Sequence, residues 1–184
     1  VIVYVHSHDV YDSDTTFIRH RKLPDVEHII IPYHASVDSI INSIIARARN
    51  KRSIWLLVLN AHGNSTFVSM GTNINQNNVH NFWKLAPYMT PSGRGVEIHS
   101  CLTASARMKK QVVKDGQGLK FLRTFASSIG TTVRAGYGSQ VGWDSFLGIR
   151  HGDRQGMYET PWVSVRPSGE FKNYKATDKP WDDR

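Results

Sequence analysis

The sequence holds one cysteine, Cys101, and several histidines that stand beside runs of apolar residues. A thiol attacks a carbonyl as its thiolate, so a nucleophilic cysteine needs a base or a positive neighbour to reach that state near neutral pH. His62 is one candidate base, and Gly63 directly after it lets a backbone N–H approach a developing oxyanion with no side chain in the way. The single cysteine also excludes an internal disulfide framework and any multi-cysteine zinc site.

A second chemistry competes with the first. His6-Ser7-His8-Asp9 presents two histidines and a carboxylate, and it could recruit His34, His62 or His99 to hold zinc or iron for a metal-dependent hydrolase. A third reading assigns no chemistry: Cys101 is then a small buried apolar residue and the domain a catalytically silent interaction module of a larger effector.

These residues follow elements able to position them. Val1–Val5, His28–Pro32 and Ile54–Leu59 are short runs rich in β-branched residues, as expected of strands buried on both faces. Between the second and third, Val37, Ile40, Ile41, Ile44, Ile45 and Ala48 share one face of an amphipathic helix, and Ser36 stands where it would cap it. Downstream, Val79–Tyr88 reads as helical, Gly95–His99 as a strand, Gln117–Ile129 as a helix and Thr131–Ala135 as a strand. This alternation predicts an α/β fold, a mostly parallel sheet with helices on both faces. Trp162–Arg166 and Glu170–Tyr174 flank a Pro-Ser-Gly turn and predict a C-terminal β-hairpin that appends to the sheet or covers its edge.

At 184 residues, 40 % of them apolar, the chain is expected to fold as one domain over residues 1–175, with Ala176–Arg184 a frayed tail. Ligands of open parallel sheets bind beyond the carboxyl ends of the strands. There the sequence places His6-Ser7-His8-Asp9, His34, Asn60-Ala61-His62-Gly63, His99-Ser100-Cys101 and Gly136-Tyr137-Gly138.

Trp55-Leu56-Leu57-Val58-Leu59-Asn60-Ala61-His62-Gly63 and Val96-Glu97-Ile98-His99-Ser100-Cys101-Leu102-Thr103-Ala104 resemble the histidine and cysteine strands of caspase-like (clan CD) cysteine peptidases. The closer likeness is to bacterial DUF4347-type domains, and the more distant one to the cysteine protease domains of large bacterial toxins. Phe67-Val68-Ser69-Met70-Gly71, Gly116–Leu122 and Ile129–Ala135 fit the same pattern, and the likeness runs from Val1 to Gly142.

The resemblance implies a three-layer α/β/α caspase-like sandwich and a cysteine endopeptidase of protein or peptide substrates. In it a Cys101 thioester forms, His62 is general acid and base, and no cofactor is required. It also implies an oxyanion hole from the N–H groups of Gly63 and Cys101, and a specificity pocket shaped partly by Gly136–Trp143.

Within that pocket Gly138, Ser139, Trp143 and Asp144 are candidate substrate contacts, an aromatic wall above an acidic floor. His99, on the same strand face as Cys101 by alternation, and Asp9, able to orient His62, are candidate supporting residues. In the toxin group inositol hexakisphosphate activates the peptidase through basic residues. None of those residues maps onto this chain one by one, so inositol polyphosphate activation rests here on charge alone, notably the basic insertion Arg107–Asp115.

With 23 Lys and Arg against 15 Asp and Glu, the net charge of +8 suits polyanionic partners, although the basic clusters Arg19–Lys22, Arg47–Arg52 and Arg107–Lys114 are scattered. No segment reaches the apolar length of a membrane span. The start VIVYVHSHD has neither Met nor the pattern of a signal peptide, and reads as a domain cut from a larger polypeptide or a processed product. It carries no address; the resemblance implies a bacterial protein, cytoplasmic or a delivered effector.

Overall fold

The computed structural model describes residues 1–13, 25–101, 103–104, 116–138 and 161–178. Strands β1 (Ile2–Ser7), β2 (Val26–Ile31), β3 (Leu56–Asn60), β7 (Gly95–His99), β8 (Val133–Gly136), β9 (Trp162–Val165) and β10 (Phe171–Tyr174) form one sheet in the order β10-β9-β8-β7-β3-β1-β2. The pairings from β8 across to β2 are parallel; β9 and β10 form the expected hairpin, which appends to β8 antiparallel. Three short strands, β4 (His62–Gly63), β5 (Phe67–Ser69) and β6 (Ile74–Asn75), make a small antiparallel sheet directly after β3.

Each strand of the large sheet sends alternate side chains to opposite faces. On one face Val3, Val5, Ile29, Ile31, Leu57, Leu59, Val96, Ile98, Val133 and Ala135 join the main core. The helices α2 (Val37–Arg47) and α3 (Gln117–Ile129) and a 3₁₀ helix (Val79–Tyr88) cover that face through their own buried stripes. Ser36 caps α2 as expected, its Oγ accepting the Ser39 N–H at 3.1 Å, a contact worth about 1 kcal/mol. In the 3₁₀ helix the buried residues Val79, Phe82 and Leu85 recur every third position, which matches three residues per turn better than 3.6.

The other face is also buried, as the central layer of a three-layer sandwich requires, but its character differs. Tyr4, Leu56 and Val58 form a small apolar cluster there, and around it lie His6, Asn60, Glu97 and Arg134. Among the described residues, no helix is long and apolar enough to cross a membrane.

β1 runs two residues past the expected end at Val5, so His6 and Ser7 lie inside the sheet rather than in a loop beyond it. His6 is tolerated in the ladder because polar partners on both neighbouring strands meet its ring. β2 likewise starts earlier, at Val26, and ends at Ile31, leaving His34 in the turn that follows.

A candidate nucleophile and base on adjacent strand ends

β3 and β7 are parallel neighbours, with Leu56 opposite Gly95 and Asn60 opposite His99. His62 therefore stands two residues past the end of one strand and Cys101 two residues past the end of the other. The Ala61 N–H donates to the His99 carbonyl at 3.2 Å, which holds the two exits side by side. Beyond β7 the chain turns sharply: Thr103 Oγ1 donates to the Ser100 carbonyl at 3.2 Å, and the Ala104 N–H to the Gly136 carbonyl of β8 at 3.0 Å. Cys101 sits at the head of this turn, partly accessible and not in a disulfide.

Gly63 lies hard against the cysteine-bearing turn. A Cβ there would fall 2.1 Å from Ser100 Oγ and 2.7 Å from the Phe67 carbonyl oxygen, so only glycine lets the β4 backbone approach Ser100 this closely. The Ser100 hydroxyl is itself buried and has no hydrogen-bond partner among the described residues.

The His62 side chain is 66 % exposed, and its Nε2 lies 3.7 Å from Asp9 Oδ2. At that distance the contact is electrostatic rather than a hydrogen bond. Asp9 lies in the first turn of the short helix α1 (His8–Ser13) that follows β1. Partial burial pushes its carboxyl up, but the Ser7 side chain, the Val10 backbone and the nearby His62 outweigh that, and the net pKa falls below the ordinary value. Asp9 is thus an anion at neutral pH, and its carboxylate faces the Nε2 side of the His62 ring.

Beneath the site, Glu97 is fully buried in β7, with Arg94 Nε on Oε1 and His99 Nε2 donating to Oε2 at 3.2 Å. Burial alone would raise its pKa; the His99 hydrogen bond and the Arg94 charge reverse this and hold the carboxyl at about 2. His99 is therefore tethered to the Glu97 carboxylate inside β7, two residues before Cys101. The charged residue in the run Gly95-Val96-Glu97-Ile98-His99 was the available sequence signal, since a carboxylate in a buried strand needs partners.

A second buried chain crosses β3, β1 and β2. Asn60 Nδ2 lies 3.2 Å from His6 Nδ1, and His6 Nε2 lies 3.0 Å from His28 Nδ1, while the rings of Tyr4, His6 and His28 stack. With the Asn60 amide N–H donating to Nδ1, neutral His6 carries its proton on Nε2 and donates it to His28. Burial lowers the His28 pKa, with Glu27 opposing, which favours the neutral His28 ring.

Both ring nitrogens of His6 are thus engaged, and a metal there would have to break those bonds. His8 diverges from His6 into α1 and packs on Tyr33, and among the described residues no group of three His, Cys, Asp or Glu side chains could hold a metal ion. His34 is exposed in its turn with φ +65.

On the far side of Cys101, Gly138 is half-buried just past β8. Its neighbour Tyr137 donates its hydroxyl to Asn173 of the hairpin, and burial pushes that phenol up to about 12. Ser139, Trp143 and Asp144 lie outside the described residues, as do the basic segments Arg19–Lys22 and Arg107–Lys114. No protein-family model matches the chain, and no curated protein matches it in sequence.

Proposed function

We propose that the protein is a cysteine endopeptidase of the caspase-like kind, with Cys101 as nucleophile and His62 as general acid and base. The observation that carries this reading is the register of β3 against β7, which brings His62-Gly63 and Ser100-Cys101 out of the same sheet edge two residues past a matched pair. The close approach of Gly63 to Ser100 supports it, and so does the Asp9 carboxylate beside His62 Nε2.

In this reading the Cys101 thiol gives its proton to His62 and its sulfur attacks the substrate carbonyl. The N–H groups of Gly63 and Cys101 receive the oxyanion. His62 then passes the proton to the departing amine, leaving a thioester. It next takes a proton from water, whose oxygen attacks the thioester; the acid is released, and His62 returns that proton to the departing Cys101 sulfur. No step needs a Lewis acid.

The test is hydrolysis of an internally quenched peptide library by purified protein in EDTA, before and after treatment with iodoacetamide. Cleavage that survives the chelator and stops on alkylation of Cys101 is expected. Cleavage unaffected by complete alkylation, or abolished by EDTA, would overturn the reading.

A further inference from the structure

The sheet edge continues past His62 toward β2 and ends in an aromatic residue. Tyr33, two residues after the end of β2, is 61 % exposed, and its ring lies on the His8 imidazole with centroids 4.9 Å apart and planes tilted by 39°. His8 is the chain neighbour of Asp9, whose carboxylate faces His62.

The turn that carries Tyr33 is fixed from two sides. The Ala35 N–H donates to the Pro32 carbonyl at 3.3 Å, and the Ala35 carbonyl accepts the Thr72 N–H at 2.9 Å. Gly71, at φ +56, allows that approach, because a Cβ there would fall 2.1 Å from the Ala35 oxygen. His34 is held in the left-handed region beside it, a conformation that a non-glycine residue keeps only when its surroundings impose it. A single exposed aromatic needs no explanation. One stacked on a histidine, set in a pinned turn and in line with a candidate dyad is a preformed platform.

We propose that Tyr33, backed by His8, is a substrate subsite for an apolar or aromatic side chain of the peptide cut at Cys101. This rests on the peptidase reading above. The register sets how far that side chain lies from the scissile bond. Ile30, His6, Asn60 and His99 are level across β2, β1, β3 and β7, and Tyr33 and Cys101 stand three and two residues beyond that line. Three inter-strand steps of about 4.8 Å separate them, about 14 Å in all, and an extended peptide covers about 3.4 Å per residue. The occupant is therefore about four residues from the scissile bond, on the side away from β8.

The experiment compares wild type, Tyr33→Ala and Tyr33→Phe on a nonapeptide library in which each position is fixed in turn as Phe, Leu or Ala. Wild type and Tyr33→Phe are expected to prefer Phe or Leu at one position three to five residues from the cut. Tyr33→Ala should lose that preference, with kcat/KM falling about threefold to tenfold for those peptides and unchanged for their Ala counterparts. Position profiles that coincide for wild type and Tyr33→Ala would overturn the subsite while leaving the peptidase reading intact.

Binding separates the two claims if nothing is cut. Fluorescein-labelled nonapeptides with one Phe or only Gly and Ser are titrated against the Cys101→Ala protein with and without Tyr33→Ala. Phe-selective binding that depends on Tyr33 would keep the subsite and remove the hydrolysis; equal binding of both peptides would overturn the subsite.

Discussion

Replacing Glu97 with glutamine keeps the side chain's shape and removes the charge that Arg94 and His99 both face in the interior of β7. The folded protein holds this carboxyl at about 2 against an ordinary 4.5. That difference corresponds to about 3 kcal/mol of stability at neutral pH. Mutational losses on breaking a buried ion pair, about 3–5 kcal/mol, point to the same size. Because the folded pKa is the lower one, the contribution is complete above pH 4.5 and is lost as the pH falls toward 2. Glu97→Gln should therefore be less stable by about 3 kcal/mol at pH 7, and about 2 kcal/mol of that gap should have closed at pH 3. Urea unfolding followed by tryptophan fluorescence at pH 7, 5 and 3 measures both quantities. A gap below about 1 kcal/mol at pH 7, or the same gap at all three pH values, would refute the reasoning.

Asp9→Asn removes an electrostatic contact that is largely in solvent and worth at most about 1 kcal/mol, so turnover should fall no more than about fivefold with the fold intact; a loss of a hundredfold in steady-state kcat would make Asp9 essential instead. Gly63→Ala should lower both the thermal midpoint and activity, because its Cβ overlaps Ser100 Oγ and the Phe67 carbonyl. Adding Ser100→Ala relieves the first overlap only, so circular dichroism should show partial recovery of the midpoint, and an unchanged midpoint in Gly63→Ala alone would contradict the packing. The neutral chain Asn60-His6-His28 makes stability complete above pH 6.5 and has it decline as the pH falls below that value, since the folded His28 pKa is the lower one. Glutamine at position 28 should flatten that decline in urea titrations between pH 6.5 and 5, and an unaltered slope would count against the assignment.

The strands and helices were legible because their apolar spacing is strong. Gly95–His99 and Gln117–Ile129 have the expected limits, and the α2 stripe from Val37 to Ile44 is buried as its period requires. The end of β1 was not legible, because polar His6 and Ser7 look like a strand exit until their partners on β2 and β3 are known. The β3 and β7 ends are neighbours in the register, an adjacency that apolar spacing along the chain does not itself encode. What the sequence could not reveal is the pairing of distant groups: His6 with His28 and Asn60, and Tyr33 with His8. Such pairs depend on which strands become neighbours, and residue type alone does not encode that.

The central claim is that Cys101 and His62 act as one unit, and a double-mutant comparison tests it most directly. Wild type, Cys101→Ala, His62→Ala and the double variant, each shown to be folded by circular dichroism, are assayed on the same peptide library. Each single change should lower the rate by at least about a thousandfold, and the double variant should be little worse than either. Folded Cys101→Ala with wild-type turnover, or wild type with no hydrolysis at all, would contradict the account.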